Sequence, residues 1–88
     1  MEQKHILHRD SVETFADAME KILEEKDFTY KRDGWKNLDV IYLEHRLVEE
    51  VGQYFTTCYR FEPLPTQEQI KRKLVHIANF CMMLAEKY

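Results

Sequence analysis

The stretch Gln67 to Lys87, QEQIKRKLVHIANFCMMLAEK, most constrains what this chain can become. Ile70, Leu74, Ile77, Cys81 and Leu84 recur at helical spacing and make one apolar stripe. Val75, Ala78, Phe80, Met82, Met83 and Ala85 carry apolar character nearly around the whole helix. Such a helix must be covered on every side. The chain has 88 residues, so two other helices of similar size are all it can offer as cover. The pattern therefore predicts a homo-oligomer, dimer or tetramer, that buries this helix between protomers.

The rest of the chain reads as all-α. Two glycines and two prolines argue against a turn-rich β design, and 44% hydrophobic with 33% charged residues indicates a globular chain. Residues 1–88 form a single domain, with Met1 to Arg9 as a loose polar arm. Asp10 is placed to cap a first helix, with Glu13 closing a capping box. Val12, Phe15, Met19 and Ile22 form its apolar stripe, which fades near Asp27. Phe28 to Asn37, FTYKRDGWKN, is a connection that turns at Asp33-Gly34. Its Lys31, Arg32 and Trp35 suit phosphates and a base; alternatively Trp35 closes one end of the core. A second helix runs from about Leu38 to Cys58 or Tyr59, with a stripe of Leu43, Leu47, Val51, Tyr54 and Cys58. Gly52 inside it suggests the close approach of a backbone or ligand. Thr66 and Gln69 should cap the third helix reciprocally.

Polar residues interrupt the two apolar faces at facing places. On the second helix, with Glu49 set at zero, Gln53 falls at about 40°, Arg46 at about 60° and Glu50 at about 100°. They crowd the margin of a buried face, where an uncompensated carboxylate is costly. On the third helix, Arg72, Lys73, His76 and Asn79 form a matching polar strip.

These residues resemble the MazG-like, all-α nucleoside triphosphate pyrophosphohydrolases. Leu47-Val48-Glu49-Glu50-Val51-Gly52 is similar to that family's first metal helix, and Leu74 to Ala85 to its DVANFAMMLA segment. Lys31 to Trp35 is similar to the basic Gly-Trp turn of small members, so the likeness spans about Val12 to Lys87. It implies a three-helix protomer that completes a helical bundle across a homo-oligomer interface. It also implies Mg²⁺ held between an EExxE and an ExxD motif, and water attack on a triphosphate to give a nucleoside monophosphate and pyrophosphate. Carried over residue by residue, Glu49 and Glu50 take the catalytic role, and Glu49, Glu50, Gln53 and His76 the metal positions. Lys31, Arg32, Trp35, Lys73 and Asn79 take the substrate.

The departures fall at the chemistry. Gln53, Lys73 and His76 stand where the family has carboxylates. An ammonium cannot ligate Mg²⁺, and Mg²⁺ prefers hard oxygen donors to imidazole. Three functions follow: a non-catalytic or weakly active nucleotide-binding homologue, an active Mg²⁺-dependent pyrophosphohydrolase, or a structural protein-binding module. In the first and third, Lys73, helped by Arg46 and His76, pairs with Glu49 and Glu50 in place of the metal.

Other partners are disfavoured. A net charge of −3 speaks against a general nucleic-acid binder, although Lys71-Arg72-Lys73 is a short basic run. No segment approaches the apolar length of a membrane span. Cys58 and Cys81 lack metal-ligand spacing and read as two reduced thiols of a cytoplasmic protein. His5 and His8 read as solvated residues near a terminus rather than a metal pair.

Overall fold

A computed structural model of the chain describes residues 8–27 and 33–88. These residues form three α-helices and no strand: α1 (Asp10–Lys26), α2 (Val40–Cys58) and α3 (Gln67–Ala85). Lys31 and Arg32, two of the expected phosphate contacts, lie outside the described residues, as do most of the N-terminal arm and His5.

Helix ends follow local chemistry, with two departures from expectation. Thr66 and Gln69 form the reciprocal capping box at α3: Gln69 N–H donates to Thr66 Oγ1 and Thr66 N–H to Gln69 Oε1, both at 3.0 Å. At α1 no side-chain cap forms. Asp10 is already the first helical residue, the cap position belongs to Arg9, and Glu13 N–H donates to the Arg9 carbonyl at 3.0 Å. At α2 the cap is Asp39, whose Oδ1 accepts from Tyr42 N–H at 2.9 Å, so the helix starts at Val40 rather than Leu38. Before it, Gly34–Asn37 makes a turn of 3₁₀ helix. Asp33, not Gly34, takes the left-handed conformation there, at φ 56°, a region that Asp tolerates better than most residues.

Helix α3 is the centre of the protomer. It packs on α2 and on α1, while α1 and α2 do not pack on each other to a comparable extent. Contacts near Gln53 meet Lys73 and those near Arg46 meet Phe80, so α2 runs antiparallel to α3. Glu25 meets Arg72 and Met19 meets Asn79, so α1 is antiparallel to it as well. Around the axis of α3, Lys73 and Phe80 face α2, Arg72 and Asn79 face α1, and His76 and Met83 lie in the arc between. The floor of the groove between α1 and α2 is therefore His76 and Met83.

The apolar core is small. One apolar residue from each helix, Ile22, Leu43 and Val75, is buried, and of these Leu43 alone is fully so. Burying Leu43 alone stabilises the fold by about 1.5–3 kcal/mol. Helix α3 is not covered on every side: Leu74, Cys81 and Ala85, on the strip opposite the groove, stay exposed. Gly52 is not explained inside the protomer, because a Cβ there would meet no atom within 4 Å.

Candidate functional site

The groove between α1 and α2 opens into a cavity of about 910 Å³. Trp35 of the 3₁₀ turn, Tyr42 of α2 and Leu23 of α1 stand in its walls, and His76, Asn79 and Met83 line it from α3. The 3₁₀ turn is fixed from below, since Lys87 Nζ donates to the Lys36 carbonyl at 2.8 Å.

The α2 wall carries the polar strip. Arg46 binds Glu49 Oε1 through Nη1 and Glu50 Oε2 through Nη2, the latter at 3.3 Å. The Arg46 guanidinium also lies 5.1 Å from the centroid of Phe80, so its charge rests on an aromatic face of α3. Both carboxylates, Glu49 foremost, hold Arg46 more firmly protonated against its partial burial. Lys73 crosses from α3: its Nζ donates to Gln53 Oε1 at 2.6 Å and lies 3.8 Å from Glu50 Oε1. That second distance is an ion pair, too long for a hydrogen bond. Glu50 Oε1 is accordingly a buried acceptor without a hydrogen-bond partner, although a charge faces it.

The expected site residues thus separate by environment. Glu50 (side chain 7% exposed) is buried against α3, whereas Glu49 (59%) points to the outer margin and does not line the cavity. Glu50, Gln53, Lys73, His76, Asn79 and Trp35 all line it. Asn79 is buried; its Nδ2 donates to the Met19 carbonyl of α1 at 3.4 Å, and its Oδ1 has no partner. His76 makes no ion pair or side-chain hydrogen bond among the described residues. Burial pushes its imidazole below the usual range; Glu50 opposes this, and Arg72, Lys73 and Lys26 add to it. Arg72 is drawn away, pairing with Glu25 of α1 at 2.6 Å, and this contact in turn lowers the Glu25 carboxyl.

Mg²⁺ does not fit this arrangement. Glu49 Oε1 and Glu50 Oε2 are held by Arg46, Gln53 Oε1 by Lys73, and Glu50 Oε1 faces the same ammonium, which leaves Glu49 Oε2 on the exposed outer margin. A divalent ion there would meet two resident cations and only two carboxylates. Among the described residues no three His, Cys, Asp or Glu side chains form a group able to hold a metal.

Two contributors escaped the sequence reading. Tyr42 was not singled out because it sits at an exposed first turn, and Phe80 because it reads simply as core. The i,i+4 spacing of Tyr42 to Arg46, pointing at the same margin, is the signal that could have found the first. No family model matches the chain, and no curated protein or solved structure is significantly similar to it.

Proposed function

We propose that the protein is a MazG-like homologue that has lost metal-dependent hydrolysis and keeps a nucleotide-binding cleft. The observation that carries this reading is that Arg46 or Lys73 stands against each of Glu49, Glu50 and Gln53, including both oxygens of the buried Glu50. The chain supplies internally the positive charge that the resemblance assigns to Mg²⁺. The cleft beside it keeps what a nucleotide needs. Trp35 and Tyr42 offer ring faces for a base, and the buried Asn79 Oδ1 lacks a donor that a base amino group could supply. Lys26 and Lys73 line the cavity and suit phosphate oxygens, with Lys31 and Arg32 as the expected additional contacts.

The protomer functions in a homo-oligomer on this reading. Large hydrophobic residues stay exposed on the described helices, among them Ile41, Val48 and Phe55 of α2 and Leu74 of α3. Two free cysteines support a reducing, cytoplasmic setting. No described helix is long and apolar enough to cross a membrane.

A thermal-shift screen of nucleoside mono- and triphosphates, with and without Mg²⁺ or Mn²⁺, tests the proposal alongside a pyrophosphate-release assay. A metal-independent shift that Trp35→Ala abolishes, without turnover, is the expected result. Metal-dependent pyrophosphate release would overturn the loss of hydrolysis. No shift with any nucleotide would leave a structural module.

A further inference from the structure

Helix α2 carries a second regular face, opposite the one it turns to α3. Ile41, His45, Val48, Gly52, Phe55 and Tyr59 follow one another at spacings of four, three, four, three and four. That is the a/d alternation of a coiled-coil seam. All six residues are exposed, and Val48 at its centre is 69% so. Leu43 and Glu50, buried against α3, lie about half a turn away. At the C-terminal end the rings of Phe55 and Tyr59 stack with centroids 6.3 Å apart. Among the described residues nothing buries this surface.

We propose that α2 pairs antiparallel with α2 of a second copy of this chain along this seam. The sequence along the seam is complementary to its own reverse. A two-fold axis level with Glu50 sets Val48 against Gly52 of the partner subunit, Ile41 against Tyr59 of the partner subunit and His45 against Phe55 of the partner subunit. Each layer joins a bulky residue to a smaller or polar one. The Gly52 notch, where a Cβ would meet nothing within 4 Å, receives the partner's Val48 twice by symmetry. A parallel pairing would instead oppose two glycines in one layer and two histidines in another. That leaves a hole and a polar layer in a short seam, and it wastes the match.

Charge tolerates the antiparallel choice: the two Glu49 side chains approach each other at the dyad, and the Arg46 paired with each tempers their repulsion. Exposed apolar area supports the pairing: Ile41, Val48, Phe55 and Tyr59 along the seam are 64%, 69%, 51% and 74% exposed, surface that a second copy would bury. The strip of α3 opposite the groove is a poorer candidate, because Leu74, at 38% exposed, is its one large exposed hydrophobic residue.

The pairing stands apart from nucleotide binding, since the seam and the cleft lie on different faces of α2. Sedimentation equilibrium of the full chain tests it. The unmodified protein should run at twice 10.7 kDa. Val48→Glu should raise the dimer dissociation constant about a hundredfold or more, because two unpaired carboxylates would enter an apolar layer. Gly52→Leu should also dissociate the dimer while circular dichroism shows undiminished helix, because a Cβ at this exposed position meets nothing within 4 Å of the protomer. In a Cys58→Ser, Cys81→Ser background, mixed Val48→Cys and Gly52→Cys chains should cross-link to each other more than to themselves. A monomeric unmodified protein would overturn the proposal. So would a dimer indifferent to both seam substitutions, one dissociated by Cys81→Glu alone, or preferential self-cross-linking of the single-cysteine chains.

Discussion

Replacing Lys73 by Met tests whether the protein's own cations hold α2 to α3. The ammonium lies 3.8 Å from Glu50 Oε1, and the Glu50 side chain is nearly buried. At an effective dielectric of about 20, a pair at that distance attracts by about 4 kcal/mol before desolvation. Removing one partner of a buried pair costs about 3–5 kcal/mol when the other is left uncompensated. Glu50 is not left so, because Arg46 still holds Oε2 at 3.3 Å. Lys73 is also 28% exposed and part of its charge is screened. The expected loss is therefore about 2 kcal/mol, below the full buried-pair figure. In a domain of this size that lowers Tm by roughly 8–16 °C. Chemical denaturation of Lys73→Met, Glu50→Gln and the double variant gives the coupling directly. A coupling of about 1–2 kcal/mol is expected for groups that share an ion pair. A Lys73→Met protein as stable as its parent, or a coupling under about 0.5 kcal/mol, would refute the pairing as a structural device.

Adding acids should create a metal site: Lys73→Glu with His76→Asp should raise Tm in millimolar Mg²⁺ or Mn²⁺, while the unmodified protein should not respond. A response of the unmodified protein would show that Arg46 and Lys73 yield to the ion. Burial depresses His76, so between its folded pKa and about 6.5 the unfolded chain binds the extra proton and stability falls as pH drops. His76→Gln should flatten that part of the Tm–pH curve, and an imidazole titrating at or above about 6.5 by NMR would contradict it. Asp39→Ala should cost about 1 kcal/mol through loss of the Tyr42 N–H cap, read by urea denaturation; an unchanged midpoint would show that water replaces it.

Local chemistry was the most legible. The capping box at Thr66 needs two residues three apart, and it formed as read. The α1 box did not, because Asp10 entered the helix and left Arg9 at the cap. The expected start of α2 near Leu38 passed over Asp39, whose side chain sets the actual start. The facing of the two polar strips was also legible, since a basic strip on one apolar helix and an acidic strip on another each need an opposite charge at the joint. Its details were not: Gln53 takes the shortest contact from Lys73, and Arg46 bridges both glutamates within its own helix. Such choices depend on side-chain reach, which spacing alone does not encode. The outer seam of α2 escaped notice because His45 and Gly52 occupy two of its six positions and break the apolar pattern.

The two walls of the cleft are held by different means, and this decides which can move. Helix α2 is joined to α3 by Leu43, the Arg46 guanidinium on Phe80, and Lys73 bridging Glu50 and Gln53. Because the cations of that joint belong to the chain, it is complete without any ligand. Helix α1 is joined to α3 by a small apolar contact, a 3.4 Å hydrogen bond from Asn79, and the exposed Glu25–Arg72 pair. An exposed pair of this kind is screened by solvent and holds the helices weakly. A ligand entering between the helices therefore meets a fixed wall at α2 and a yielding one at α1. It also meets an unpaired Asn79 oxygen at the junction where α1 would give way.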